Sequence, residues 1–300
     1  MKMSFKNYLQ TQEYSSTSIA TYERFTDQFL DWVRKENIEV DQIRYQDMLA
    51  YMKHCSGKKG YSQRTVQHTV ITLGHYFNYL IEAGEIEINP AKGIKVQGVK
   101  RKTLHNILEA HELHAIYHNY EAATLSQKKN KVIIGMLVYQ GLKTEELNKL
   151  EVKDVKLKEG KVEVPGGRRS NGRTLQLEPH QVMDVYEYVM QVRPLILEKT
   201  KQQTSKLFVS IEGGDKLRID FLMEQVRKQS RPDNHGELSG PKVENADQLR
   251  ASVIVKWLKQ YNLREVQYMA GHRYISSTEA YRQSEMEGLS EEVNKFHPLG

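Results

Sequence analysis

The chain has 300 residues, 39% hydrophobic and 27% charged, an ordinary globular composition with room for about two domains. No stretch approaches the ~20 apolar residues of a membrane span, the opening MKMSFKNYLQ lacks an apolar signal-peptide core, and the single cysteine, Cys55, excludes an internal disulfide or a cysteine-rich zinc site, so a reducing cytosol is the expected home. The formal charge of +6 permits a polyanionic partner without demonstrating one.

The first 90 residues read as helical throughout. Ser15-Ser16-Thr17 can cap a helix in which Ile19, Tyr22, Phe25, Phe29 and Trp32 recur at three- and four-residue spacing. A second helix is expected from Tyr45 to His54, before Gly57 and Gly60. A third opens at Ser62, with Val66, Val70, Leu73, Phe77 and Leu80 on one face, and stops at Gly84. These stripes are core positions, and they predict a four- or five-helix domain over residues 1–91. This part holds ten basic and eleven acidic side chains, so the positive excess lies further on. Lys92, Lys95, Lys100, Arg101 and Lys102 follow Asn89-Pro90 with no acid among them, and Gly93 and Gly98 interrupt them. Residues 92–103 therefore read as a basic linker, either simply solvated or laid along a phosphate backbone, which needs charge and reach but little shape.

From 104 to 300 a second domain is expected. Glu109 to Tyr120 and Lys131 to Gln140 read as helices. Val152 to Leu157, Lys161 to Val164 and Thr174 to Leu177 read as three short antiparallel strands, the last two joined by the polar loop Gly166 to Arg173. Pro179 to Val192 returns to helix, Leu207-Phe208-Val209 is an apolar patch, and Arg227 to Pro241 is a polar loop. Helices follow from Asp247 to Leu258 and from Leu263 to Ala270. The fold class is thus mainly α with a small antiparallel sheet. No phosphate-binding loop, dinucleotide fingerprint or nucleophile elbow is present. His111 and His114, three apart on a helix, read as a solvated pair.

Four segments carry the chemical content: Gly141-Leu142-Lys143-Thr144-Glu145-Glu146-Leu147, the 161–177 hairpin, Leu249-Arg250, and Ala270-Gly271-His272 followed nine residues later by Tyr281. Each alone has a plain reading. Gly141 and Gly271 end helices, Lys143 is a solvated charge and Tyr281 a packed aromatic. Arg250 is less ordinary, because Leu249 and Val253 place it where burial is expected, and a buried guanidinium wants an anion.

In this order and spacing the segments resemble the tyrosine recombinases, the phage integrase family. Gly271-His272, Ser277-Thr278 and Tyr281 match its closing motif, and Ser16-Thr17, Thr21-Tyr22 and Asn89-Pro90 match its helical core-binding, SAM-like domain. The resemblance implies a C-shaped clamp on double-stranded DNA, built from a core-binding domain (1–91) and a catalytic domain (104–300). It also implies a dimer or tetramer on DNA, in some cases with a partner recombinase, and a cytoplasmic, nucleoid-associated location. The implied reaction is breakage and rejoining through a 3′-phosphotyrosyl intermediate, in a site-specific recombinase or integrase of a mobile element. No metal or other cofactor is implied.

Carried over residue by residue, Tyr281 falls on the nucleophile, His272 on the late histidine and Arg250 on the second arginine. The first arginine position is Lys143, the hairpin lysine position is Arg168, and the histidine three before the second arginine is Asp247. Arginine forks suit the two non-bridging phosphate oxygens, and lysine at 143 keeps the charge but not the fork. Arg168 donates a proton less readily than lysine. Arg169 or Arg173 could serve in its place, and both are expected, with Lys95, Lys100, Arg101 and Lys102, to touch DNA. Asp247 would repel a phosphate unless turned away or paired with Arg250 or Lys143. Two other readings stay open: a DNA-binding accessory protein of this fold that does not cleave, and a helical transcription regulator unrelated to recombinases.

Overall fold

The computed structural model describes residues 3–99, 106–168, 170–211, 216–229 and 241–282. The chain divides into two compact units, Met1–Lys102 and Thr103–Gly300.

In the first unit α1 (Phe5–Thr11) and α2 (Ser16–Lys35) are followed by α3 (Tyr45–Gly57) and α4 (Gln63–Glu82). The local chemistry sets the starts. The hydroxyl of Ser15 accepts from the Ser18 amide at 3.2 Å, and that of Ser62 from the Thr65 amide at 3.2 Å, each satisfying a donor that a helix start leaves open. The apolar stripes pack into a core around Phe29, Trp32, Met48, Tyr51, Leu73 and Phe77, while Ile19 joins Tyr8 and Leu9 in a second, smaller cluster. Asn89 fixes the exit. Its Nδ2 donates to the Gly74 carbonyl at 3.0 Å, while its Oδ1 accepts from the Ala91 amide at 2.9 Å. Ala91 lies in this core, and Ile94 and Val96 pack against it.

The second unit holds α5 (Ala110–His118), α6 (Leu125–Val138), α7 (Thr144–Leu147), β1 (Val155–Lys156), β2 (Lys161–Val164) and β3 (Arg173–Gln176). After them come α8 (Pro179–Glu187), α9 (Arg193–Thr200), α10 (Ile219–Gln229), α11 (Ala246–Gln260) and α12 (Leu263–Ala270). The three strands form an antiparallel sheet in the order β1-β2-β3, with Val162 opposite Leu175 and Val164 opposite Arg173. α6 and α11 are buried on nearly every side and form the middle of the unit.

Several boundaries differ from the sequence expectation. α6 starts at Leu125 rather than Lys131, because Thr124 and Gln127 form a reciprocal cap. The first strand shrinks to two residues, since Val152–Asp154 and Leu157–Glu159 coil into 3-10 turns and the Asp154 carboxylate accepts from the Glu151 amide at 2.8 Å. α8 does not stop at Val192: a π turn over Tyr188–Val192, in which the Arg193 amide reaches the Tyr188 carbonyl five residues back, leads without a break into α9 and admits Pro194 at its start. Arg227, expected in a loop, belongs to α10.

Gly135 shows how tightly α6 is seated. A Cβ there would stand 2.8 Å from Nε2 of Gln181 and 2.9 Å from the Tyr117 ring. Gln181 cannot yield easily, because its amide exchanges hydrogen bonds with Gln140 at 2.9 and 3.0 Å. Helix propensity favours alanine over glycine by about 1 kcal/mol, but overpacking costs about 1–3 kcal/mol. Gly135→Ala should therefore be neutral to destabilising by up to about 2 kcal/mol, read as a lower urea midpoint; a raised midpoint would show that the wall relaxes.

Candidate active site

Four chain segments converge around Arg250. It sits in the second turn of α11 and is 4% exposed. Its Nη1 donates to the Gly141 carbonyl, and its Nη2 donates to the Ala270 carbonyl at 2.6 Å and reaches Nε2 of His272 at 3.3 Å. Two glycines make this approach possible. Gly141 has φ +57°, and a Cβ on it would stand 3.1 Å from Val253 of α11. Gly271, with φ +64°, ends α12 in the left-handed region, and its added Cβ would fall 2.5 Å from Nη1 of Arg173.

Arg173 is the largest correction to the sequence reading. Expected on a DNA-facing loop, it is the inward residue at the start of β3, with its side chain 0% exposed. It meets Glu146 of α7 through two hydrogen bonds, Nη1 to Oε1 at 2.8 Å and Nη2 to Oε2 at 2.9 Å, and its Nε donates to the Met269 carbonyl at 2.8 Å. Burial resists ionisation of Glu146, yet Arg173, the Lys143 amide and Arg250 together hold its carboxyl below the usual carboxylate range. The inward position could have been found from the sequence. Arg173, Leu175 and Leu177 alternate on one face, so the arginine had to share their side of the strand.

Lys143 is half-buried immediately before α7, and its amide donates to Oε2 of Glu146 at 2.9 Å. Burial, and then Arg250, push its ammonium below the ordinary lysine range, partly offset by Glu146. His272 is buried at 7% exposure. Burial first, then Arg250, Lys143 and Arg173, lower its pKa to about 4. Its Nδ1 lies 2.9 Å from Oγ1 of Thr278, and its ring stacks on Tyr281 with centroids 5.7 Å apart at 19°. Tyr281, in the helical stretch 276–282, is partly buried against the unit's core and lies close enough to oppose loss of charge on Arg250. Three cations thus gather around Glu146, the buried carboxylate among the described residues that act on them.

Of the other expected residues described in this unit, Arg168 and Asp247 stand at the surface. Arg168 is exposed on the loop between β2 and β3, and its carbonyl accepts from Nη1 of Arg273 at 3.3 Å. That loop is nevertheless tied to the site, through a bridge from Ser170 to His272 and a 3.1 Å hydrogen bond from the Asn171 amide to the Gly271 carbonyl. Asp247 is exposed in the first turn of α11, where the helix dipole favours a carboxylate. Lys95 is exposed, and Lys100, Arg101, Lys102 and Arg169 lie outside the described residues. Among the described residues no group of three or more His, Cys, Asp or Glu is placed to hold a metal ion, and no helix is long and apolar enough to cross a membrane.

The phage integrase family model matches residues 106–287, more than half of the chain. The chain belongs to the phage integrase family. Its N-terminal SAM-like domain model matches residues 3–84, and the family comprises the tyrosine recombinases, site-specific DNA strand-transferring enzymes. Tyrosine recombinase XerC of Thermodesulfovibrio yellowstonii is 24% identical over 298 residues, covering 98% of this chain and 95% of its own. Among solved structures, the XerH site-specific recombinase bound to palindromic difH substrate, a post-cleavage complex, superposes with TM-score 0.71 at 21% identity, over 92% of this chain and 79% of that one. The Tn1549 transposon integrase in complex with a circular intermediate DNA does so with TM-score 0.69 at 17% identity, over 95% of this chain and 99% of that one. These likenesses agree with the mainly helical architecture and its small three-stranded sheet.

Two predictions follow from the cluster. Arg173→Met leaves Glu146 buried without its partner and should cost about 3–5 kcal/mol of unfolding free energy, most of it recovered when Glu146→Gln is added; an additive double variant would show that the pair is not coupled. The second concerns pH. A histidine with a folded pKa near 4 contributes fully above its unfolded value of about 6.5, and that contribution fades as pH falls toward 4, by about 3 kcal/mol at most. His54, His75 and His118 are lowered too and act with the same sign. Glu146 adds its own loss only below about pH 4.5. Between pH 6.5 and 4.5, His272→Gln should therefore flatten the fall in stability, and an unchanged slope would mean that the ring is charged when folded.

Proposed function

We propose that this protein is a site-specific recombinase that cuts and rejoins double-stranded DNA through a 3′-phosphotyrosyl intermediate on Tyr281, in the service of a mobile element. The observation that carries the reading is the gathering of Lys143, Arg173 and Arg250 around a single buried carboxylate, with an aromatic hydroxyl beside them. Arg173 takes both oxygens of Glu146, so Arg250 and Lys143 are left to a phosphate. In the reaction the Tyr281 oxygen bonds to phosphorus and the bond to the 5′-oxygen breaks. Arg250 binds the non-bridging oxygens, whose charge grows in the transition state. Lys143, half-buried and shifted toward losing its proton, is the group suited to protonate the leaving 5′-oxygen. The phosphotyrosine keeps the energy of the phosphodiester, and attack by a 5′-hydroxyl restores the backbone without ATP.

Lys95, Lys100, Arg101 and Lys102 add sequence-independent phosphate contacts. The XerH and Tn1549 integrase complexes with DNA support a duplex as partner, and the latter supports a mobile element. The protein then acts as a dimer or tetramer on its site, alone or with a partner recombinase. Exposed Arg168 and Asp247, at positions where the resemblance expects a lysine and a histidine, favour a second reading, an accessory DNA-binding protein that does not cleave.

The test is incubation with nicked suicide duplexes and a search for an SDS-stable adduct. Tyr281→Phe should abolish adducts while duplex affinity changes by no more than a few fold. Lys143→Ala should slow adduct formation by roughly 10²–10³-fold, and a bridging 5′-phosphorothiolate, whose leaving group needs no proton, should restore most of that loss. Persistence of adducts in Tyr281→Phe would move the nucleophile elsewhere, Tyr274 being next. Absence of adducts from the parent protein on every DNA offered would leave the accessory reading.

A further inference from the structure

We infer that Thr278 is a positioning residue that, together with Arg250, holds the His272 imidazole in its Nδ1-protonated tautomer, Thr278 accepting from Nδ1 and Arg250 donating to Nε2, so that Nε2 faces the cationic pocket with its lone pair. The catalytic part of this inference rests on the recombinase reading above; the tautomer does not.

The assignment follows from which groups can donate. A guanidinium has donors only, and Nη2 of Arg250 lies 3.3 Å from Nε2 of His272. That contact is a hydrogen bond only if Nε2 presents its lone pair. In the neutral ring the proton then resides on Nδ1, which donates to Oγ1 of Thr278 at 2.9 Å. Neither partner can wander. Thr278 is fully buried, and its amide donates to the Ile275 carbonyl at 2.8 Å, while the Glu279 amide donates to the same carbonyl at 3.0 Å. His272 is pinned through its own backbone. Its amide donates to the Gln267 carbonyl at 3.0 Å, its carbonyl accepts from Nε2 of Gln267 at 3.2 Å, and Ser170 bridges to it from the hairpin loop. Tyr281 covers one face of the ring.

Thr278 and Tyr281 stand three residues apart in the helical stretch 276–282, so one turn of helix carries both the hydroxyl that orients the imidazole and the hydroxyl proposed to attack. A ring that offers Nε2 as a lone pair cannot donate a hydrogen bond from that atom to a phosphate oxygen. Once a phosphate draws the Arg250 guanidinium off Nε2, that lone pair can accept the proton of the Tyr281 hydroxyl as the phenol oxygen bonds to phosphorus, while the leaving 5′-oxygen takes its proton from Lys143. Rejoining reverses both transfers: the imidazolium returns its proton to the departing phenol oxygen, and Lys143 regains one from the attacking 5′-hydroxyl. The charged groups that face His272 decide when it works. Arg250, Lys143 and Arg173 oppose an imidazolium, and Glu146 favours it. A phosphate seated among those cations offsets their opposition, so His272 gains basicity when substrate is in place and stays neutral when it is not.

The experiment uses the full chain with 15N-labelled histidines, free of DNA, and reads the ring nitrogens of His272 by long-range proton–nitrogen correlation, with His272→Gln supplying the assignment. The expected result at pH 6–8 is a protonated Nδ1 and an unprotonated Nε2, kept in Thr278→Ser and shifted toward the Nε2-protonated form in Thr278→Val. A protonated Nε2 in the parent protein, or an unchanged tautomer in Thr278→Val, overturns the inference, and the parent measurement decides even if the valine variant fails to fold. In the adduct assay Thr278→Val should lower the rate on the order of 10²-fold, Thr278→Ser by less than a few fold, and Thr278→Val should cost nothing more in a His272→Gln background. Equal losses with and without His272 would overturn the positioning role. A parent protein that forms no adduct on any duplex, yet shows the expected tautomer, overturns the recombinase reading instead and leaves the role of Thr278 in holding His272 in place.

Discussion

The buried pairing of Glu146 with Arg173 is the constraint on which the candidate site is built. It joins α7, the start of β3 and, through Nε of Arg173 on the Met269 carbonyl, the end of α12. Desolvating two charges is expensive, and such a pair persists only where its geometry is close to ideal and its remaining hydrogen-bond capacity is met. Here the contact is bidentate, Nε of Arg173 has the Met269 carbonyl, and Oε2 of Glu146 also accepts from the Lys143 amide. The guanidinium plane fits so closely under the turn after α12 that only a residue without a side chain can stand at 271.

That pairing also decides what the other cations do. Because Arg173 takes both oxygens of Glu146, Arg250 meets the carbonyls of Gly141 and Ala270 instead, which occupy two of its five donors without cancelling its charge. Lys143 and His272 feel the excess. Each is moved toward its neutral form, first by burial and then by Arg250. A pocket of this kind is prepared for an anion before one arrives, so less reorganisation is needed when negative charge develops there.

Much of this was legible in the sequence where one periodicity or one motif carried the information. The stripes of α2 and α4 announced the first core, and the Gly-His pair followed by Tyr281 announced the closing segment. The burial of Arg250 could be read from its apolar neighbours. The failures had physical causes. The start of α6 is masked by Lys128, Lys129 and Asn130, although Lys129 is buried in the folded unit. The helix was expected to end at Val192 because the π turn that carries it on into α9 leaves no mark on hydrophobic spacing. Arg173 was judged by its charge and not by its place in the alternation of β3. Thr278 was noticed only as part of a motif, because a hydroxyl that orients a ring is invisible until both are seen in space.

The bridge between Ser170 and His272 makes the hairpin loop and the histidine turn a single mechanical part. Loops between strands are ordinarily the segments that can be exchanged between related proteins with least harm. Here the loop does not end at its own hairpin: Asn171 grips the Gly271 carbonyl, and Arg273 grips that of Arg168 in return. A graft that transplanted residues 165–172 alone would bring a foreign lining to the histidine, whereas one that carried 165–173 together with 267–281 would move the lining and the ring as one module.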